Sequence, residues 1–384
     1  MFANSATINK NLYFKNIFNH CWNFKILIPE NIILESIELN DDPLVSILMP
    51  VHNDASYLDE CIQSTLNQEY FNWEYCIVDD GSTDSSALKL EKWSKIDKRI
   101  HFISSTHQGI VPSLNAAAKL ASGSFIARMD ADDTMHPKRL HEQVTFLSKN
   151  LEMGLIGSCF HHFSDARIGS IPKWIIYHED WSNRLLSSDD IHSALFAESP
   201  IAHPTFCMRK EVFDKLGGYQ EAPWAEDYDF LHRARIQGVV LGKVASTLLD
   251  KRFNNECISN YEHRYRQTIN MEAKVYFGNM KQIFNGRGLW IVGSGGSAKS
   301  LLKALQKFEV PIEGIIDNNI HYGTPRKLMG TSVSGISNPE NEKSWEKLKN
   351  KRLLLAIGGE KGQQLLDQFK FWGWKQPEDF VKLV

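Results

Sequence analysis

The stretch Ser124-Phe125-Ile126-Ala127-Arg128-Met129-Asp130-Ala131-Asp132-Asp133 is a short apolar run that ends in three carboxylates. The run is typical of a buried strand, and such strands in an α/β sheet end at the crevice where ligands usually bind. Asp130 and Asp132 are two residues apart, so an extended chain would point both side chains the same way. Converging carboxylates are suitable ligands for Mg²⁺ or Mn²⁺. The alternative is an acidic loop that leads into a helix starting near Pro137.

Short β-branched runs alternate with amphipathic helical segments around this stretch. The predicted elements are strands over 45–49, 73–78, 100–104 and 125–129 and helices over 57–67, 85–95, 111–121 and 228–237. Strands that alternate with helices pair in parallel, so the pattern predicts an open, mostly parallel sheet with helices on both faces.

A break at Asn285-Gly286-Arg287-Gly288 follows a helical pattern over 261–284 and introduces a second α/β pattern. Its predicted elements are strands over 289–293, 313–316 and 353–357 and a helix over 299–308. We therefore expect an α/β protein with four parts. They are an N-terminal arm over 1–43, a main domain over 44–255, a helical linker over 256–287 and a smaller domain over 288–384.

Composition narrows the class of protein. The 384 residues include 43 Lys and Arg against 46 Asp and Glu, a net charge of −3, which gives no electrostatic footprint for nucleic acid. The six cysteines are scattered, which favours a reduced, cytoplasmic protein. No apolar run approaches the ~20 residues of a spanning helix. The aromatic-rich segment 11–28 favours packing against the main domain and leaves peripheral contact with the inner face of a membrane open.

Five motifs in register over residues 45–252 resemble those of the inverting family 2 glycosyltransferases with the GT-A fold. They are VSILMPVHN (45–53), IVDDGSTD (77–84), IARMDADD (126–133), LGGY (216–219) and AEDYDF (225–230). A series of motifs is far more specific than a single match. The resemblance implies a GT-A domain that moves a sugar from a nucleotide-diphospho-sugar to a hydroxyl of a glycan or lipid-linked acceptor, in surface glycan or polysaccharide synthesis.

The resemblance also implies roles for individual residues. Asp130 and Asp132 would hold Mn²⁺ or Mg²⁺, which stabilises the charge that grows on the leaving diphosphate. Asp227 would be the base that takes the acceptor proton, although Glu226 and Asp227 could instead simply begin a helix. The residues implied in donor binding are Pro50, Val51, Asp79, Asp80, Arg128, Asp130, Glu226 and Arg252. Further matches, in less certain positions, are Gly109, Asn115 and His203-Pro204-Thr205.

For two segments of the motif series the sequence leaves a second interpretation open. Ser82-Thr83-Asp84 suits a turn that caps the following helix, whatever Asp79 and Asp80 do. Arg252-Phe253-Asn254 departs from the family's R-x-H element, since Asn254 replaces the histidine, and this leaves a third protein ligand for the metal open.

The second α/β pattern carries Gly293-Ser294-Gly295-Gly296-Ser297-Ala298 between a strand and a helix, with Asp317 after the next strand. This is a variant of the dinucleotide fingerprint, and the segment resembles Rossmann-like domains appended to sugar-modifying enzymes. Gly293, Gly295 and Asp317 are its candidate cofactor-binding residues. The competing interpretation is a scaffold used for packing or dimerisation. No acid–base pair stands out nearby, which favours a regulatory or structural role over NAD catalysis.

Two other functions compete with sugar transfer. A sugar nucleotidylyltransferase also uses carboxylate-bound Mg²⁺, but no glycine-rich, Arg/Lys-bearing triphosphate loop follows the first strand. A catalytically silent sugar-nucleotide binding protein is disfavoured because Asp130, Asp132 and Asp227 are intact. The sequence leaves a homo-oligomer open.

Overall fold

The computed structural model describes residues 42–164, 169–254, 267–278, 287–317, 326–336, 339–374 and 380–383. Within them the chain forms two sheets, one of eight and one of six strands. The predicted arm up to residue 41 and most of the predicted linker lie outside the described residues. The domain boundaries at 43/44, 255/256 and 287/288 stay predictions.

The first sheet is mixed and has the strand order β3-β2-β1-β4-β7-β6-β8-β5. Its strands are β1 Val45–Val51, β2 Trp73–Asp80, β3 Ile100–Ser105, β4 Phe125–Arg128, β5 Thr134–Met135, β6 Met153–Ser164, β7 Cys207–Arg209 and β8 Val240–Phe253. The first four pair in parallel, as predicted. The rest of the sheet departs from the parallel expectation at three pairings, because β7 runs antiparallel to β4 and β6, and β5 antiparallel to β8, whereas β6 and β8 pair in parallel.

Helices pack against this sheet, and their apolar sides build its core. They are α1 Leu58–Leu66, α2 Ser86–Ile96, α3 Ile110–Leu120, α4 Arg139–Lys149, α5 Lys173–Arg184, α6 Ser188–Ala194, α7 Lys210–Lys215, α8 Glu226–Ile236 and α9 Gln267–Phe277. The core includes Leu48, Ile126 and Phe230, which are fully or almost fully buried. The first three helices begin and end within one residue of their predicted bounds. Helix α8 begins two residues early, so Glu226 and Asp227 form its first turn.

The second sheet has the strand order β11-β12-β10-β9-β13-β14. Its elements are β9 Leu289–Val292, α10 Gly296–Lys307, β10 Gly314–Ile316, β11 Arg326–Leu328, β12 Thr331–Ser334, α11 Glu342–Trp345, β13 Arg352–Leu355, α12 Gly359–Phe371 and β14 Phe380–Lys382. All neighbours are parallel except β11 and β12. The first strand, β9, lies at the centre and the chain continues to either side, which is the arrangement of a doubly wound sheet.

Two predictions from the composition, on the cysteines and on membrane-spanning helices, can be compared with the described part of the chain. Cys61, Cys76, Cys159 and Cys207 are free and buried, so these thiols pack as small apolar side chains. Every described helix is too short or too polar to cross a membrane.

Helix α9 belongs to both cores. Ala273 and Phe277 pack with the first sheet, whereas Met271 and Val275 pack with the second. Between them, the buried Lys274 ammonium donates to the carbonyl oxygens of Ala197 and, at 2.8 Å, Leu383. Burial lowers the pKa of Lys274. This lysine therefore joins the two halves through main-chain acceptors.

We expect Lys274→Met to lower the free energy of unfolding by about 1–3 kcal/mol, because it leaves two buried carbonyl groups without their donor. Lys307→Met is the matched control. Lys307 lies on α10 and pairs with Glu272 of α9, the helix of Lys274, but the Lys307 side chain is 55% exposed. Thermal unfolding should show a clear loss for the first variant and little change for the second. Equal stability of both variants would show that Lys274 contributes no more than a surface ion pair.

Candidate active site

The acidic residues after β4 lie on a turn. The Asp133 amide donates to the Asp130 carbonyl oxygen at 3.4 Å, and the chain leaves the strand conformation after Arg128. Carboxylate oxygens of Asp130, Asp132 and Asp133 all lie within 4.8 Å of one another. The structure therefore brings Asp130 and Asp132 together, but by a turn rather than by the extended chain that their spacing suggested. We call residues 129–133 the acidic turn.

Negative charge on the acidic turn exceeds what its surroundings neutralise. Burial and the charge of Asp130 raise the pKa of Asp132 to about 6. Burial also raises the pKa of Asp133 well above its usual range. The Asp133 side chain is fully buried, and while its Oδ1 accepts from the Arg252 amide at 2.8 Å, its Oδ2 has no hydrogen-bond partner. An unpaired buried carboxylate oxygen is costly, and a bound cation would remove that cost.

Asp130 is the exception, because two cations face it. The Arg128 guanidinium pairs with one carboxylate oxygen, and Lys251 Nζ lies 3.6 Å from the other. Burial alone would raise the pKa of Asp130, but the two cations hold it below its usual value. Asp130 therefore stays ionised. Lys251 comes from β8 and lay outside the sequence-predicted site; its position beside Arg252 was the only signal.

Arg252 braces the acidic turn from the outside. Its Nε donates to the Asp132 carbonyl oxygen at 2.9 Å and its Nη2 to the Glu60 carboxylate at 2.5 Å. The guanidinium also lies over the rings of Tyr57 and Phe163, 4.8 and 4.4 Å from their centroids. Its Nε and Nη2 are thus engaged with the protein, and diphosphate contact by Arg252 stays a prediction.

Asp79 and Asp80 lie at the end of β2, and both are buried. The Asp80 carboxylate accepts from the amides of Gln108 and Gly109, each at 2.8 Å. Gly109 has φ +97°, which a residue with a side chain adopts at a cost, and it precedes α3. Asp80 therefore fixes the loop before α3, whereas Asp79 accepts a longer bond of 3.3 Å from the Ser82 amide.

The loop after Pro50 and Val51 interlocks with the turn that follows β2. Asn53 has φ +61°, and its side-chain oxygen accepts from the Thr83 amide at 2.8 Å. The main-chain N–H of Asn53 donates to Ser82 Oγ at 3.0 Å. These contacts place two site loops side by side. Helix α2 has Ser85 at its N-cap without a side-chain cap bond, and of the three predicted turn residues Asp84 accepts from the Ser86 amide at 2.9 Å.

Asp54 is a site residue that the sequence analysis missed. Burial and the negative charge of Asp132 raise its pKa to about 7, with a further contribution from Asp130. Asp54 is thus a fourth carboxylate at the acidic turn. It sits in no motif of its own, and its place directly after the 45–53 motif was the only available signal.

Glu226 and Asp227 lie within electrostatic reach of the buried guanidinium that pairs with Asp130. The charge of Arg128 acts on both acids of the pair. Glu226 Oε1 lies 3.4 Å from His203 Nδ1, which places the His203-Pro204-Thr205 segment against the pair. Burial and the charge of Glu226 raise the pKa of Asp227 to about 7. Arg128 therefore connects the acidic turn with the acids of α8.

Asn115 supports a neighbouring loop. Its side-chain amide donates to the Tyr219 carbonyl oxygen at 2.8 Å and accepts from the Tyr219 amide at 3.0 Å. The Tyr219 hydroxyl in turn lies 2.8 Å from His203 Nε2. Asn115 thus holds the LGGY motif and, through it, His203.

The glycine-rich turn of the second sheet joins β9 to α10. Gly293 has φ +109°, and a Cβ there would lie 3.0 Å from the Ala356 carbonyl oxygen, so the position requires glycine. The Ser294 hydroxyl contacts the buried Asp317 carboxylate, and Gly295 caps α10. Asp317 therefore lies beside the turn, as the fingerprint requires.

Comparison with known proteins adds the family. Residues 46–217 match the family model of Glycosyl transferase family 2. An uncharacterized glycosyltransferase of Haemophilus influenzae is 35% identical over 243 residues, which are 62% of this chain and 75% of that protein. The chain belongs to glycosyltransferase family 2. As a family 2 glycosyltransferase it is an enzyme of glycan synthesis, and the predicted GT-A domain followed by a smaller α/β domain is confirmed.

Solved structures resemble this glycosyltransferase more distantly. S. aureus TarS residues 1–349 in complex with UDP-GlcNAc is 16% identical with a TM-score of 0.48, over 70% of this chain and 81% of that one. Mannosyltransferase PcManGT from Pyrobaculum calidifontis in complex with GDP-Man and Mn²⁺ is 14% identical, also with a TM-score of 0.48, over 88% and 82%.

Proposed function

We propose that this glycosyltransferase moves a sugar, with inversion, from a nucleotide-diphospho-sugar to an acceptor hydroxyl of a glycan or lipid-linked glycan. The observation that carries the proposal is Arg128, whose buried guanidinium pairs with Asp130 and whose charge also acts on Glu226 and Asp227 of α8. A metal-binding and donor-binding group and a base must lie close together for a single displacement. The charge of Arg128 couples these two acidic groups, which supports their use in one reaction.

The acidic turn suits a hard divalent cation. Its carboxylate oxygens converge, and the Asp133 Oδ2 atom, which has no hydrogen-bond partner, supports the proposal of a cation here. Asp130 and Asp132 would hold Mn²⁺ or Mg²⁺. When bound, the ion supplies Lewis-acid stabilisation of the negative charge that grows on the diphosphate. Lys251 and Arg128 lie at the same carboxylate and add two fixed positive charges on the leaving-group side.

Asp227 suits the role of base. A carboxyl group with a pKa near 7 accepts a proton more readily than an ordinary aspartate, and about half of it is still ionised at pH 7. The Tyr228 amide donates to Asp227 Oδ1 at 2.7 Å, which fixes the orientation of the carboxylate. The remaining oxygen is left to take the proton of the acceptor hydroxyl.

The nucleoside would lie against the loops after β1 and β2. Pro50 and Val51 end β1 and Asp79 lies near the end of β2, and the loops that follow these strands are interlocked through Asn53. The carboxyl ends of parallel strands β1, β2 and β4 meet at this edge, which is the usual ligand site of an α/β sheet.

A panel of UDP-, GDP- and dTDP-sugars, read by thermal shift with and without Mn²⁺, tests the proposal. One nucleotide-sugar class should raise the melting temperature in a Mn²⁺-dependent way, and the same donor should release its nucleoside diphosphate on turnover. If no donor raises the melting temperature and none releases its nucleoside diphosphate, sugar transfer from these donors is rejected.

The glycine-rich turn after β9 is a second proposed nucleotide site, with Gly293, Gly295 and Asp317 as its contacts. The support is the position of the turn at the centre of a doubly wound sheet. Repeating the thermal shift panel on Asp132→Ala separates the sites, because a nucleotide that still stabilises this variant without Mn²⁺ binds elsewhere. Asp317→Asn should then remove that remaining stabilisation.

Transfer should depend on the ionisation of Asp227. Because its pKa is raised to about 7, the carboxylate form is lost as pH falls through 7, and kcat at pH 6 should be about a tenth of its plateau. A pH–rate profile at saturating donor, with donor affinity measured in parallel, checks this. A kcat that stays constant from pH 6 to 8 would contradict a base of this pKa.

A further inference from the structure

Helix α5 carries an unusual exposed surface. Four aromatic side chains lie along one side because they are three or four residues apart, namely Trp174, Tyr177, His178 and Trp181. We call them the aromatic stripe. Trp174 and Tyr177 are 68% and 69% exposed, while the rings of His178 and Trp181 are 5.5 Å apart. Large aromatic groups that face solvent in this way mark interaction surfaces.

A different side of α5 fixes the helix to the sheet. The Glu179 carboxylate accepts from the His162 amide of β6 at 2.7 Å. Asn183 exchanges two hydrogen bonds with the main chain of Phe160, at 2.8 and 3.1 Å. The helix is therefore held rigidly over β6, and the exposed rings contribute little to that attachment.

The attachment places α5 beside the acidic turn. His162 of β6 is the register partner of Lys251 of β8. Lys251 in turn lies 3.6 Å from the Asp130 carboxylate. One strand pair thus separates Glu179 from the acidic turn. The charge of Lys251 also acts on His178, a member of the aromatic stripe.

We propose that the aromatic stripe is an acceptor subsite that binds pyranose rings of a saccharide chain, with Trp174 and Tyr177 as stacking platforms. The proposal rests on the proposed sugar transfer. A pyranose ring presents an apolar C–H face and a polar hydroxyl edge, which matches aromatic side chains with one apolar face and a wet rim. Two such exposed rings on a helix that is attached to the β6–β8 strand pair suit a saccharide chain whose terminal hydroxyl would lie at the acidic turn.

A membrane surface is the competing occupant. Interfacial helices combine apolar and aromatic residues with a polar face rich in Lys and Arg. The polar side of α5 instead has mixed charge, since Asp180 stands between Lys173 and Arg184. This composition gives little attraction for anionic lipids, whereas attachment to the strand pair that carries Lys251 favours a substrate.

The test compares Trp174→Ala/Tyr177→Ala with Trp174→Phe/Tyr177→Phe and with Phe71→Ala, in the full chain. Phe71 is 74% exposed and lies just before β2, at the opposite strand end from the acidic turn, so it controls for loss of a surface aromatic. The probes are fluorescein-labelled tetrasaccharides of glucose, mannose and N-acetylglucosamine, followed by anisotropy. Nucleoside diphosphate release from the donor without acceptor is measured on every variant. Pelleting with phosphatidylglycerol/phosphatidylethanolamine vesicles tests the lipid alternative.

At least one tetrasaccharide should bind wild type, and the alanine pair should weaken it at least about tenfold. The phenylalanine pair and Phe71→Ala should bind within about twofold of wild type, and donor turnover should be unchanged throughout. Equal saccharide binding by the alanine pair, or no binding by wild type, overturns the subsite. Loss of vesicle pelleting with unchanged saccharide binding assigns the stripe to lipid. Absence of both Mn²⁺-dependent donor binding and donor turnover in wild type would instead reject the proposed function itself.

Discussion

Asp227→Asn should lower kcat for sugar transfer by about 10²–10⁴-fold, the contribution that a positioned general base usually makes. Asparagine keeps the size of the side chain and its acceptor for the Tyr228 amide, but it cannot take a proton at neutral pH. Donor affinity should stay within about twofold, because the acidic turn is unchanged. A large loss in kcat with intact binding is the signature of a group that acts in the transition state.

The measurement is steady-state transfer together with Mn²⁺-dependent donor binding by calorimetry. Asp214→Asn is a suitable control, since this aspartate lies on α7 with a side chain 57% exposed. Normal transfer by Asp227→Asn would remove Asp227 from the base role. Weakened donor binding with unchanged kcat would assign Asp227 to the donor.

Asp132→Asn should abolish the Mn²⁺-dependent part of donor binding and, at the same time, stabilise the metal-free protein. The pKa of Asp132 is raised from 3.8 in the unfolded chain to about 6, so ionisation of this group disfavours the folded state. That penalty develops as pH rises from about 4 to 6 and is complete at pH 7. Asparagine removes it, and the melting temperature without metal should rise by about 2–4 °C.

Thermal unfolding at pH 7.5, with and without Mn²⁺, gives both readouts. Wild type should gain stability from Mn²⁺ and the variant should not, whereas the Asp214→Asn control should behave as wild type. The same Mn²⁺ increment in Asp132→Asn would exclude Asp132 as a ligand. A lower melting temperature in the metal-free variant would show that the carboxylate is better compensated than its buried surroundings indicate.

The parallel half of the fold was predictable because local pattern and pairing agree there. Strands β1 to β4 alternate with helices, so periodicity determines both their limits and their direction. Strand β7 has three residues and β5 has two, too few to show a period, and their antiparallel return depends on contacts distant in sequence. The mixed half of the sheet could therefore not be predicted from local pattern.

The candidate site likewise contains residues that the sequence predicted and residues that it did not. Asp130, Asp132 and Asp227 stand in motifs, and their residue types suggest their chemistry. Asp54 and Lys251 are brought to the acidic turn by tertiary structure, so no spacing in the sequence indicated them. Asp80 is the opposite case. It stands in a motif that suggested donor binding, but in the structure its carboxylate accepts from two main-chain amides.

Helix α9 limits how this architecture can be exchanged between relatives. Its successive residues fill the cores of both sheets, and Lys274 bonds main-chain atoms of each. A chimera that joins this catalytic half to a foreign second domain would leave Met271 and Val275 facing a surface that did not evolve with them. Recombination near residues 255–287 should therefore yield insoluble protein unless the foreign domain presents a surface that packs against Met271 and Val275.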